Sequence, residues 1–171
     1  VTGIFIWAFA GTSNSMVANI MGQKKFDQII PLLFRIMFLN LLFCIFMLTL
    51  LNLFPDYFFS LFGQSDDFIK QGIPVIRVVS VGLIIMTMAN VWLNGLTGIG
   101  NTKINLIIEI TAISLYLVYT WYFTSVHYIS LAIAWSNDII YWTTIFFSSF
   151  LYIKSLKWIK PHLDNNTNGF D

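Results

Sequence analysis

The chain has 171 residues, 57% of them hydrophobic, 18% aromatic and only 10% charged, with a formal net charge of +1. A typical soluble domain is about 45 to 50% apolar, so this composition, with a mean hydropathy of +0.76, belongs to a membrane chain. No basic block suited to nucleic acid occurs, and the single Cys44 excludes an internal disulfide.

A spanning helix needs about 20 mostly apolar residues. In chain order, five segments reach that length: Thr2 to Met21, Pro31 to Phe54, Pro74 to Leu96, Ile104 to Phe123 and Ile129 to Ile153. They predict an all-α, polytopic transmembrane bundle over residues 1–153, followed by a tail over 154–171. The chain opens at Val1 already inside an apolar segment, with no charged leader ahead of it, and so reads as a fragment rather than a signal peptide.

The first span carries "GTSNS" at its middle. There Gly11, Ser15, Ala18 and Gly22 form a small-residue ridge suited to close helix contact, and Asn14 is a candidate binding residue. Pro31 stands where the second span starts and Pro55 where it stops. Within that span Arg35 is near enough to one end to snorkel, and Cys44 reads as apolar filler. The connection "PDYFFSLFGQSDDFIK" is amphipathic, with Phe58, Phe59, Leu61 and Phe62 expected toward lipid and Asp66 and Asp67 toward water.

On the third span Thr87, Asn90, Asn94 and Thr97 share a face at helical spacing, with Arg77 and Ser80 nearer its start. On the fourth, Asn105, Glu109, Ala112, Tyr116 and Tyr119 line up. On the fifth, Asp138 stacks with Tyr141, Ser148 and Ser149, while Asn137 and Thr144 widen the polar face. Trp7, Trp121, Trp135, Trp142 and Trp158 suit either an interfacial belt or the interior, and His127 reads as a solvated loop imidazole.

Orientation follows from the lysines. Lys24, Lys25, Lys103, Lys154, Lys157 and Lys160 fall on one side and only Lys70 on the other. The lysine-rich side is expected in the cytoplasm, which puts Val1 outside and Asp171 inside.

Each polar residue inside a span needs a partner or a water-filled cavity. Glu109 lies five residues into its segment, about 7 to 8 Å along a helix axis, too deep for a short carboxylate to reach water without a crevice. Asp138, nine residues into the fifth segment, is expected about 13 to 14 Å along the axis, near the midplane. An aspartate there costs about 2.5 to 3.5 kcal/mol unless neutralised, paired or hydrated. Both are candidates for a substrate or ion role, with Asn90, Asn94, Asn14, Tyr141, Tyr116 and Arg77 around them; the alternative for each carboxylate is a structural hydrogen bond to a neighbouring helix.

"MVANIMGQKKFDQIIPLLFRI" resembles the loop after the eighth helix of multidrug and toxic compound extrusion (MATE) transporters. "NVWLNGLTGIGNTKINLIIEI", with Asn94, Gly95, Gly98, Gly100, Asn101 and Thr102 at a small-residue turn, resembles that family's junction between helices ten and eleven. "AWSNDIIYW" is similar to its twelfth. Order, spacing and orientation agree across essentially the whole chain. The resemblance implies helices eight to twelve of a twelve-helix, two-lobe transporter, with the missing N-terminal part of the same transporter, the bilayer and small organic molecules as partners. It implies a tight turn at the glycine seam, with Gly98 and Gly100 supplying backbone freedom and Asn101 and Thr102 capping the next helix.

The expected function is secondary antiport of amphipathic or cationic organic compounds in exchange for H⁺ or Na⁺, with no other cofactor, in a plasma membrane of bacterial inner-membrane type. One departure stands out: cation-coupled members carry acids on their seventh and tenth helices, whereas no acid lies between Ile73 and Gly98 here. A lipid-linked saccharide flippase of the same superfamily is the alternative, although only Arg35 and Arg77 are available for a pyrophosphate. A nonfunctional membrane fragment is the third reading. An enzyme is not expected: "GIGN" ends in Asn101 where an intramembrane aspartyl protease needs an aspartate, and no metal or serine-hydrolase motif occurs.

Overall fold

The computed structural model describes residues 2–60, 66–125 and 131–159. All regular structure among them is helical: α1 (Thr2–Gly22), a 3₁₀ turn (Phe26–Gln28), α2 (Ile29–Leu53), α3 (Pro55–Ser60), α4 (Asp66–Gly98), α5 (Thr102–Ser125), α6 (Leu131–Ala134) and α7 (Asn137–Lys154). Four stretches are long and apolar enough to cross a membrane, Gly3–Gly22, Phe26–Leu53, Gly72–Gly98 and Thr102–Phe123. Their outward faces carry exposed Phe38, Leu42 and Phe46 on α2 and Ile107, Ile110 and Val118 on α5, an arrangement that suits hydrocarbon rather than water.

Helix α4 is the hub. It packs against α1, α2 and α7, and α5 joins the bundle chiefly through α7. Trp92 on α4 is one of two fully buried tryptophans among the described residues. Its indole Nε1–H points at the Met37 sulfur at 3.2 Å, and its ring meets Phe34 and Phe150 edge-on at centroid distances of 5.2 and 4.8 Å. One side chain thus ties α2, α4 and α7 together through the T-shaped geometry aromatic rings prefer. Leu33, Leu96, Ile145 and Ile153 complete the same core.

The glycine seam turns as tightly as expected, by a different division of labour. Gly100 has φ +90°, a left-handed conformation that side chains resist, and its N–H bonds the Thr97 carbonyl at 2.9 Å. Gly98 is still helical; it is needed for space. A Cβ there sits 2.6 Å from the Asn14 carbonyl oxygen and 2.9 Å from the Val17 Cβ of α1.

Several expectations are corrected. The small ridge Gly11, Ser15, Ala18 and Gly22 is exposed, and nothing lies within 4 Å of a Cβ at Gly11 or Gly22; α1 meets α4 through Asn14 and Val17 instead. Pro74 lies inside α4, which begins at Asp66; membrane helices tolerate such a proline where neighbours or water re-satisfy the freed carbonyl. Trp158, assigned to the tail, is buried, its Nε1–H donating to the Ile153 carbonyl at 2.9 Å and its ring edge-on to Phe26 at 6.0 Å. In the amphipathic connection Phe58 and Phe59 are half-buried, and Leu61 and Phe62 lie outside the described residues, as does His127.

The fifth span is not one helix. The chain turns at Trp135 and Ser136 between α6 and α7, because the Ser136 Oγ–H takes the Ile133 carbonyl at 2.6 Å and competes with the helical ladder. Helix α5 holds the break: the Tyr119 and Ser136 hydroxyls lie 2.7 Å apart, and the Asn137 Nδ2–H donates to the Thr120 Oγ1 at 3.2 Å.

The contacts Gly98–Val17 and Trp158–Phe26 place the turn after α1, the glycine seam and the segment after α7 at one end of the bundle. Single cysteines at Lys24, Lys103 and Lys157 should therefore react with a membrane-impermeant maleimide from the same face in intact cells or inverted vesicles. Opposite labelling of 24 and 103 overturns this arrangement of α1 to α4.

Candidate functional site

Two cavities flank α5. The first is a groove of about 380 Å³ walled by Trp7, Ala10 and Gly11 of α1, floored by Asn90, Leu93, Asn94 and Thr97 of α4, and closed by Asn105 and Glu109 of α5. The helical spacing of 90, 94 and 97 puts their side chains on one face, and the tight seam swings 105 and 109 against it. The Asn105 Nδ2–H donates to the Thr97 Oγ1 at 3.2 Å across that hairpin. Asn90 and Asn94 turn their amide nitrogens back onto the carbonyls of Met86 and Asn90, at 3.1 and 2.9 Å.

The second cavity, about 450 Å³, lies among α4, α5 and α7, lined by Met86, Ile113, Tyr116, Leu117, Asp138, Tyr141 and Trp142. It is an apolar and aromatic chamber with one carboxylate. Tyr141 stands edge-on to Tyr116 and Trp142, at centroid distances of 6.2 and 4.8 Å. A hollow of about 180 Å³ beside the α6–α7 break also reaches Asp138, through Ala134, Trp135 and Asn137.

One hydrogen bond links the walls of the two cavities. The Tyr141 hydroxyl, in the wall of the aromatic chamber, donates to the Glu109 Oε2 in the wall of the polar groove at 2.9 Å. Among the described residues the Asp138 carboxylate has no hydrogen-bond partner; its Cβ packs 3.8 Å from the position a Cβ would take at Gly82. Because of the break, Asp138 lies in the first turn of α7 rather than deep within a continuous helix.

Glu109, Asn90, Asn94, Asp138, Tyr141 and Tyr116 are thus gathered around the cavities. Two other candidates are not. Asn14 lies at the α1–α4 crossing, Arg77 is exposed on α4, and neither lines either cavity. Thr87, expected on the polar stripe, is fully buried, and its hydroxyl and the Cys44 thiol both donate to the Leu83 carbonyl. Ser136, which sets where Asp138 falls, was missed; a serine before Asn-Asp in an apolar run was its signal.

Membrane-length apolar helices packed around a buried hub define a polytopic helical membrane protein. The MatE family model matches residues 1–122, and the chain belongs to that family of MATE-superfamily transporters. No curated protein and no solved structure gives a match.

Proposed function

We propose that this chain forms the cargo- and ion-handling part of a secondary antiporter that exports amphipathic organic cations in exchange for H⁺ or Na⁺, with its lysine-rich end in the cytoplasm. The observation that carries this reading is the Tyr141–Glu109 hydrogen bond between a polar groove and an aromatic chamber that holds its own carboxylate. Flat cations suit the chamber: rings offer apolar area and cation–π attraction, and Asp138 offers charge complementarity. A ligand that alters the Glu109 charge alters the acceptor for Tyr141, and a coupled transporter needs such a link, since only a ligand that distinguishes two states shifts their populations.

A pyrophosphate flippase finds less support. Arg35 and Arg77 are both exposed, and neither lines the groove or the chamber. The test is dye transport in proteoliposomes carrying the protein: an imposed Na⁺ or proton gradient should drive ethidium against its own gradient. Ethidium movement that persists unchanged after ionophores collapse both gradients overturns the antiport reading.

A further inference from the structure

Helices α2 and α7 each pack on α4, and aromatic rings bridge the furrow left between them. Phe26, just before α2, meets Trp158, just after α7, edge-on at 6.0 Å, and Phe34 meets Phe150 edge-on at 6.2 Å. From one rung to the next the chain advances eight residues on the α2 side and retreats eight on the α7 side, about 12 Å along a helix axis, so the two helices run antiparallel in register. Phe146, stacked on Phe150 at 5.7 Å, and Phe38 continue the furrow past the second rung. Phe34 and Phe38 keep 44% and 65% of their surface exposed. Lys154, in the last turn of α7, stands four residues from both Phe150 and Trp158, at the level of Ile30, inside the apolar stretch Phe26–Leu53. A lysine at a membrane edge ordinarily stretches its ammonium outward to water. Helical side chains lean toward the helix N-terminus, here toward the hydrocarbon, and the Lys154 Nζ is held 5.5 Å from the Phe150 ring centroid.

We infer that the furrow between α2 and α7 binds one anionic phospholipid, its phosphate on Lys154 between Lys25 and Lys157 and one acyl chain along Phe34 and Phe38. Lys25 and Lys157 adjoin the rings of the outer rung, and both are exposed. Against these three lysines stands one acid, Asp27. Among the described residues no carboxylate pairs with Lys154, and a phosphate is the anion a bilayer supplies at that depth. The chain alone selects nothing, because lipid tails are as apolar as the helix faces they touch. Selection comes from the headgroup: each lysine near an anionic surface strengthens the attraction about fivefold, whereas a zwitterionic headgroup brings its own cation, which opposes the lysines. None of these residues lines the polar groove or the aromatic chamber, so the site does not depend on what the bundle transports.

Native mass spectrometry of the purified protein tests the site, with dioleoyl phosphatidylglycerol or dioleoyl phosphatidylcholine titrated into the detergent. One phosphatidylglycerol should bind about tenfold more tightly than phosphatidylcholine. Lys154→Gln should weaken phosphatidylglycerol roughly fivefold to tenfold, and Lys154→Arg should restore it. Lys103→Gln is the control: Lys103 is exposed in the first turn of α5, at the same end of the bundle but outside the furrow, and its loss should leave binding unchanged. Equal retention of the two lipids overturns the inference, as does an unchanged affinity in folded Lys154→Gln. A Lys103→Gln protein weakened as much as Lys154→Gln replaces the site with the general field of the lysines. Glycerol phosphate that displaces the lipid at equal concentration makes the site one for free phosphate and overturns the lipid. If a second copy or another polypeptide covers the furrow instead, no phosphatidylglycerol is retained, and the inference falls.

Discussion

Replacing Gly98 by alanine should destabilise the bundle more than the same change at any other helical glycine of α4 beyond Pro74. The added Cβ lies 2.6 Å from the Asn14 carbonyl oxygen and 2.9 Å from the Val17 Cβ. Both are fixed to the α1 backbone, so relief requires the two helices to separate. Separation loosens the α1–α4 crossing, including the buried Val17 and Leu96. Overpacking of this kind costs about 1 to 3 kcal/mol, and backbone obstruction puts Gly98→Ala at the upper end.

Gly95 gives an internal comparison: its Cβ meets the Leu33 side-chain carbons at 2.6 and 2.9 Å, and a leucine tip can change rotamer where a carbonyl cannot. Gly82 has only ordinary contact, 3.8 Å from the Asp138 Cβ. Unfolding by SDS titration in mixed micelles should therefore rank the alanine variants 98, 95 and 82 from most to least destabilised. A Gly98→Ala protein as resistant to SDS as the Gly82→Ala protein refutes the close crossing.

The contrast between those glycines shows where sequence reasoning reaches and where it stops. The spans were legible because a bilayer demands long apolar runs, and the helix boundaries of α1, α2 and α5 fall within two residues of expectation. The inward stripe of α5, from Asn105 through Glu109 to Tyr119, was legible because a membrane helix hides its polar side chains. Trp92 was not, since one more aromatic in an apolar run gives no sign that it is the hub of three helices. The ridge of α1 misled because spacing reports that a face is smooth and not which neighbour it meets. The break before α7 turned on a single hydroxyl competing for a carbonyl, a contest that hydropathy does not register. The groove was half legible: Asn90 and Asn94 stood out by residue type, but only the fold across the seam shows Asn105 beside them with an oxygen left over.

Asp138→Asn should leave the protein inserted and folded but abolish ion-driven export of a cationic dye. The side chain borders both the aromatic chamber and the hollow at the α6–α7 break, and no described residue neutralises it or bonds to it. Asparagine has almost the same shape, so packing against Gly82 is kept; what disappears is the charge. A cation about 4 to 5 Å from a carboxylate gains roughly 3 to 4 kcal/mol at an effective dielectric of about 20, and part of that replaces attraction to water. A loss of roughly tenfold to hundredfold in dye affinity is the expected remainder. The rings of Tyr116, Tyr141 and Trp142 stay in place, so a neutral flat dye of similar size should bind Asp138→Asn as well as the parent. That pair of ligands separates a charge role from a structural one. If Asp138 serves only to hold α7 against its neighbours, the amide supplies equivalent hydrogen bonds and both dyes behave as in the parent. Near-normal, gradient-dependent efflux of the cationic dye by Asp138→Asn removes this residue from the transport step and leaves Glu109, with Tyr141 on its carboxylate, as the group that carries it.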